Sequence, residues 1–160
     1  MALRIFIADD SDPVRKAIKA LLISDSNEWL ICGEAADGNQ VLMAAAEAMP
    51  DVILLDLSLP RVPGAVLATK LRDAIPSATI VIMSAQEPSL MRRIADSFRL
   101  EYCLPKSTLG TDLIASLRNI ASNKRNPSLK PHAPVGRSVG ESLGHTSDPL
   151  ANSPSSDVCT

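Results

Sequence analysis

The chain has 160 residues, of which 46% are apolar and only 2% aromatic. That suits one ordinary domain, or a small domain with a tail, around a core of Leu, Ile, Val and Ala. Its formal charge of −2 leaves no overall electrostatic footprint for nucleic acid. Cys32, Cys103 and Cys159 lie far apart, with neither metal-ligand spacing nor an even-numbered framework, as expected of free thiols in a reducing compartment. Asp9 and Asp10 arrive too early for a signal-peptide apolar region. No apolar run approaches the roughly 18 residues of a membrane span, so a soluble, cytoplasmic protein is expected.

Leu3 to Ala8 is a short apolar run with one charge and reads as a first strand. Asp9, Asp10, Ser11 and Asp12 follow, and Pro13 suits the first position of a helix. Val14, Ala17, Ile18, Leu21 and Leu22 recur at helical spacing, which turns Arg15, Lys16 and Lys19 outward. Trp29 to Gly33 reads as a second strand, with Trp29 packing beside it. Ala36-Asp37-Gly38-Asn39 opens a second helix, with Val41, Leu42, Ala45 and Met49 on its buried side and Pro50 ending it. Val52 to Leu55 is a continuous apolar run that meets Asp56, the pattern of a central strand covered on both faces. The loop from Asp56 to Gly64 carries Pro60, Pro63 and Gly64 and cannot be regular. Val66, Leu67, Lys70 and Leu71 continue as a helix to Pro76. Ala78 to Met83 is a fourth strand with Ser84 just beyond it, and a helix spans Leu90 to Phe98. Glu101 to Leu104 is a short fifth strand followed by Pro105-Lys106-Ser107. A helix from Thr108 to about Ser122 carries Leu109, Leu113, Leu117 and Ile120 on one face. Its edge, with that of the first or fourth helix, could make a homodimer.

Strands alternating with helices five times over predict right-handed βαβ units, an α/β fold with one parallel sheet. From Lys124 the composition changes: 37 residues hold five prolines, seven serines, three glycines and no aromatic. Too little apolar surface is left there to offset the entropy of ordering. The organisation expected is a domain over residues 1–123 and a disordered Pro/Ser-rich tail over 124–160.

In such sheets the chemistry sits at the carboxyl ends of the strands. Strand one ends in Asp9 and Asp10, strand three in Asp56, strand four in Ser84, and strand five in Lys106, one residue past Pro105. Clustered carboxylates repel unless a hard cation sits among them, and Mg²⁺ is normally held by one or two carboxylates with waters and a phosphate. A central carboxylate can act as a nucleophile and form an aspartyl-phosphate. A metal and an ammonium would neutralise a transferring phosphoryl group, and a serine could donate to its oxygens.

With these residues in view, the chain resembles the receiver domain of two-component response regulators over roughly residues 3 to 122. The matching marks are Asp9-Asp10, Asp56, Ser84-Ala85 and Lys106, in family order, with Pro60 and Gly64 after the acceptor. Ala8-Asp9-Asp10, Val14-Arg15, Gly33-Glu34-Ala35-Ala36-Asp37-Gly38 and Leu54-Leu55-Asp56-Leu57-Ser58-Leu59-Pro60 are similar to the NarL/FixJ-type subgroup. The resemblance implies a flavodoxin-like (βα)5 fold with strand order 2-1-3-4-5. It implies that Asp56 accepts a phosphoryl group from a sensor histidine kinase or a phosphotransfer protein. Asp10, Asp56 and the Ser58 backbone carbonyl would bind Mg²⁺ directly, and Asp9 through a water. Ser84 and Lys106 would engage the phosphate, while Ser58 and Gln86 would tune its lifetime. It implies a signalling domain with self-phosphorylation and slow self-dephosphorylation only.

The sequence departs from the family in three places. Cys103 stands where most receivers carry the aromatic whose rotation reports phosphorylation, and its neighbour Tyr102 points to the opposite face unless the register shifts. Arg99-Leu100 replace the Gly-Ala that precedes the last strand. The helix-turn-helix domain that normally follows in the NarL/FixJ type has no counterpart in residues 124–160. Lys124, Arg125, Lys130 and Arg137 form only a thin basic stretch, so DNA binding by this chain is not expected. The reading is a single-domain regulator that signals to an unknown downstream protein. Its alternative is the receiver part of a DNA-binding regulator whose output domain is lost or lies elsewhere. A haloacid-dehalogenase-type phosphatase is disfavoured because its Asp-x-Asp follows the first strand. His132 and His145 lack spaced partners for a metal site.

Overall fold

The computed structural model describes residues 2–25 and 28–126. Within them run β1 (Leu3–Ala8), α1 (Asp12–Asp25), β2 (Trp29–Ala35), α2 (Gly38–Ala48), β3 (Val52–Asp56), α3 (Gly64–Ala74), β4 (Thr79–Ser84), α4 (Pro88–Phe98), β5 (Tyr102–Pro105) and α5 (Leu109–Arg125), with a 3-10 turn over Lys106–Thr108 before α5. The strands are all parallel and lie in the order β2-β1-β3-β4-β5. This is the flavodoxin-like architecture expected from the alternation and the resemblance.

A strand covered on both faces must be apolar at every position, and β3 shows why its sequence has no alternation. Val52 and Leu54 face a core shared with Ile18 and Leu22 of α1 and Leu109, Leu113, Leu117 and Ile120 of α5. Ile53 and Leu55 face the opposite core, built with Val41 and Ala45 of α2 and Leu67, Ala68 and Leu71 of α3. Side chains alternate between faces with a period of two, so the two helical layers divide the strand residues between them. All five β3 residues are buried, including Asp56. The connection reverses direction across the sheet between β1 and β3, which opens the crevice where α/β folds place ligands.

Several boundaries differ from expectation. Met49 does not extend the buried stripe of α2. It is the helix C-cap in the left-handed region (φ 47°), and its side chain is 64% exposed. Arg4 meets the carbonyl oxygens of Ala48 (2.7 Å) and Met49 (3.2 Å), supplying the donors that a helix end lacks. Asp56 and Ser84 are the last residues of their strands rather than the first of the loops, while Glu101 stands outside β5. The final helix begins at Leu109 instead of Thr108 and continues to Arg125. Lys124, grouped above with a basic tail, donates to the Ser77 carbonyl at 2.6 Å and so ties α5 to the start of β4. Trp29 opens β2 and donates to Asp25 at 2.9 Å. The tail from Pro127 onward, with His132, His145 and Cys159, lies outside the described residues.

The two-faced burial of β3 sets the cost of truncating it. Leu54 is fully buried, and Leu54→Ala is expected to cost about 3 kcal/mol of unfolding free energy, read as a lower urea midpoint with an unchanged slope.

Candidate functional site at the strand ends

Strand register brings the singled-out residues together. Ala8 pairs with Leu55, so the next residues along, Asp9 and Asp56, stand beside each other where β1 and β3 part. Ser84 closes β4 and pairs with Pro105, and Lys106 begins the turn after β5. The Lys106 ammonium reaches back to Asp9 Oδ2 at 2.8 Å and Asp56 Oδ2 at 2.9 Å. Asp9, Asp56 and Ser84 are buried, and Asp10 is exposed at the mouth.

Backbone amides aim the carboxylates. The Ser11 N–H donates to Asp9 Oδ1 at 2.9 Å and the Ser58 N–H to Asp56 Oδ1 at 3.0 Å. The Gln86 N–H donates in the same way to Ser84 Oγ at 3.1 Å. Each polar side chain thus bonds the amide two residues on, a local turn open to Asp and Ser because their side chains are short. Ser58 and Gln86 meet the site through their backbones, while their residues as a whole are exposed.

The loop after Asp56 is pressed close. A Cβ on Gly64 would lie 2.5 Å from Leu57 Cα and 2.9 Å from the Asp56 carbonyl oxygen, and one on Gly38 would lie 2.9 Å from Val62 Cβ. The Gly38 N–H donates to the Pro60 carbonyl at 3.3 Å, and Arg61, held at φ 72°, pairs with Asp37. The loop after Asp56 is therefore strapped to the start of α2, an arrangement invisible in the sequence because Arg61 carries no left-handed signal.

Charge at the site is unbalanced. Single oxygens of Asp9, Asp10 and Asp56 all lie within 4.8 Å of one another. At that separation each like-charged pair repels by about 3.5 kcal/mol at an effective dielectric near 20. Lys106 offsets one charge of the three. Burial alone would lower its pKa, but pairing with Asp9 and Asp56 outweighs burial and holds it above the usual lysine value. Among the described residues, Asp9 Oδ2 and Asp56 Oδ2 meet the Lys106 ammonium, at 2.8 and 2.9 Å, and no other donor. Buried carboxylate oxygens with capacity left over, beside a third carboxylate open to solvent, form an all-oxygen donor set that fits a hard divalent cation such as Mg²⁺.

At β5 the register does not shift: Tyr102 pairs with Val81 and Cys103 with Ile82. Tyr102 is buried on the α1–α5 side, where its hydroxyl accepts from Asn123 Nδ2 at 3.1 Å. Cys103 packs against the α2–α3 side, and burial pushes its thiol up to about 11. Arg15, predicted to face outward, has a side chain only 15% exposed and turns back over the Asp9 loop. Its position three residues after Asp12 was the signal that could have revealed this.

The family model of the response regulator receiver domain matches residues 5–118. The uncharacterized transcriptional regulatory protein YxjL of Bacillus subtilis is 31% identical over 122 residues, 74% of this chain and 54% of its own length. The nitrate/nitrite response regulator protein NarL of Escherichia coli is 31% identical over 125 residues, 75% of this chain and 55% of its own. The chain spans about half the length of these curated relatives. Among solved structures, the signal receiver domain of NarL from Mycobacterium tuberculosis is 27% identical with a TM-score of 0.67, covering 76% of this chain and 97% of that one. The receiver domain of AraT from Geobacillus stearothermophilus is similar in fold, with a TM-score of 0.71 at 22% identity over 81% of this chain and 100% of that one.

The Cys103 environment has a pH signature. With its pKa raised from 9.0 to about 11, the reactive thiolate is scarce at pH 8 and increases as pH climbs through that value. Alkylation of Cys103, followed by peptide mapping, is expected to be slow at pH 8 and to keep accelerating above pH 9. A rate that levels off near pH 9 would contradict the assignment.

Proposed function

Because this chain belongs to the response regulator receiver domain family, we propose that Asp56 is its phosphoacceptor, charged from a phosphohistidine on a sensor histidine kinase or a phosphotransfer protein. In the transfer a carboxylate oxygen of Asp56 attacks phosphorus, the P–N bond breaks, and the imidazole takes up a proton as it leaves. The observation that carries this reading is the buried Asp56 carboxylate with one oxygen held by the Ser58 amide at 3.0 Å and the other 2.9 Å from the Lys106 ammonium.

The neighbours have complementary tasks. Lys106 meets the negative charge of the phosphoryl group, and its proximity to both acids keeps it protonated. Ser84 Oγ already accepts from the Gln86 amide, which leaves its hydrogen to donate to a phosphoryl oxygen. Asp10, Asp56 and the Ser58 carbonyl would hold Mg²⁺ directly, and Asp9 through a water. The ion would supply charge neutralisation between acceptor and phosphoryl oxygens. Ser58 and Gln86, exposed at the mouth, set how readily water reaches the aspartyl-phosphate.

The chain is a signalling domain, and its chemistry is limited to taking up the phosphoryl group and losing it slowly to water. Its output is a protein–protein contact with a downstream partner, with homodimerisation through the edge of α5 and α1 or α4 as one form of that contact. No helix among the described residues is long and apolar enough to cross a membrane, and we place the protein in the cytoplasm with its kinase. A second reading is favoured by the curated relatives, one of which is named as a transcriptional regulatory protein and both of which are about twice as long as the matched region. On that reading the chain is the receiver part of a DNA-binding regulator, and sequence-specific DNA binding by this chain would favour it.

The test is incubation with a small phosphodonor such as acetyl phosphate and Mg²⁺, followed by intact mass measurement. Wild type is expected to gain one phosphoryl group that is labile to acid, base and hydroxylamine, and Asp56→Asn none. A wild type that gains no mass, or an equal gain in both proteins, would overturn the reading.

A further inference from the structure

The turn between β1 and α1 carries Asp9 and Asp10, and Asp12 opens α1, so three like charges lie within four residues. Arg15 turns back onto it from the first part of α1. Its Nη1 donates to the Asp9 carbonyl oxygen at 2.8 Å, and its Nη2 donates to Asp12 Oδ1 at 3.1 Å. Its Nε faces Glu34 Oε2, at the end of β2, at 3.6 Å. Glu34 is held in turn by Lys19 at 2.8 Å, so the far anchor is itself fixed. Every nitrogen of the guanidinium is committed, on a side chain only 15% exposed.

The three acids of the site are not held alike. Asp9 and Asp56 each have an oxygen on a backbone amide and another facing Lys106. The Asp10 side chain has no hydrogen bond or ion pair among the described residues and is exposed. Its direction therefore depends on the backbone alone, chiefly on the peptide plane between Asp9 and Asp10. The Asp9 N–H side is fixed by the Ala35 carbonyl at 3.1 Å, and the Asp9 carbonyl, in the plane that leads into Asp10, is held by Arg15.

We propose that Arg15 is a positioning residue for the cation site: by gripping the Asp9 carbonyl it aims the otherwise unsupported Asp10 carboxylate toward Asp9 and Asp56. This rests on the reading of the acid cluster as a Mg²⁺ site, and it adds a residue that touches neither the ion nor the phosphoryl group. The role needs the fork of a guanidinium. A lysine at position 15 keeps the charge but is a single point on a flexible stem, unable to reach the Asp9 carbonyl, Asp12 and Glu34 together.

That difference separates geometry from charge. A neighbouring positive charge by itself would oppose Mg²⁺ binding, and Arg15→Lys would leave it in place. A mere strut for the fold would lower the melting temperature without changing affinity in the folded protein. The experiment is calorimetric titration of the full chain with Mg²⁺, without phosphodonor, for wild type, Arg15→Lys and Glu34→Gln, with thermal melts alongside. Arg15→Lys is expected to bind about 10-fold more weakly, the range typical of lost outer-shell support. Glu34→Gln, which loosens the same guanidinium from its far side, is expected to lose affinity in the same direction to a smaller extent. Normal binding by wild type with unchanged or tighter binding by Arg15→Lys overturns the Arg15 assignment alone. Should Arg15→Lys fail to fold, unchanged affinity in Glu34→Gln overturns it. No Mg²⁺ binding by wild type overturns the reading of the cluster, and the assignment with it.

Discussion

Asp9 and Asp56 are buried side by side and share a single ammonium, while a third carboxylate, Asp10, stands at the mouth. Like charges in such a place are tolerable only if something else holds them, and the fold supplies that restraint. A parallel sheet with both faces covered by helices gives a rigid row of strand ends, and the pairing of Ala8 with Leu55 fixes how far apart the two acids stand. Lys106 arrives from beyond the other side of β4, so its reach depends on β5 lying in register with β4. An apolar core on each face of the sheet keeps the strands from relaxing the repulsion by moving apart.

The loops above the strands carry the cost of that arrangement. Gly64 and Gly38 permit backbone contacts that a Cβ would block, and Arg61 adopts a left-handed conformation that non-glycine residues rarely take. Such outliers cluster where surrounding contacts over-determine them. Here the surrounding contacts are the Arg61–Asp37 pair and the Gly38–Pro60 hydrogen bond, which lock the loop after Asp56 to α2.

Much of this was legible in the sequence because it follows from periodicity. The unbroken apolar run of β3 announced a strand covered on both faces, and the alternation of strands with helical stripes announced the parallel sheet. Polar residues at successive strand ends then named the site. What the sequence could not give was any arrangement that depends on a side chain leaving its expected face. Arg15 sits on the polar side of the α1 pattern, yet it folds back because unsatisfied carbonyl and carboxylate oxygens lie within its reach. Met49 matches the stripe of α2, yet the helix ends one residue earlier and its left-handed cap turns the side chain out. Lys124 looked like part of a basic tail and is a strut on the β4 side. In each case a helix-terminal or loop hydrogen bond overrode the spacing.

The end of β5 departs most from the resemblance. Tyr102 is engaged with Asn123 on the α5 side, and a small thiol occupies the face toward α2 and α3. On the proposed function, uptake of a phosphoryl group at Asp56 draws on Lys106 and Ser84 rather than on either of these residues. The central claim is that the converging carboxylates form a divalent-cation site around the acceptor. The most direct measurement is a crystal structure grown with Mn²⁺ in place of Mg²⁺ and recorded for anomalous scattering. One strong anomalous peak is expected among Asp9, Asp10 and Asp56. A fully ordered loop with no peak there, or a peak elsewhere only, would contradict it.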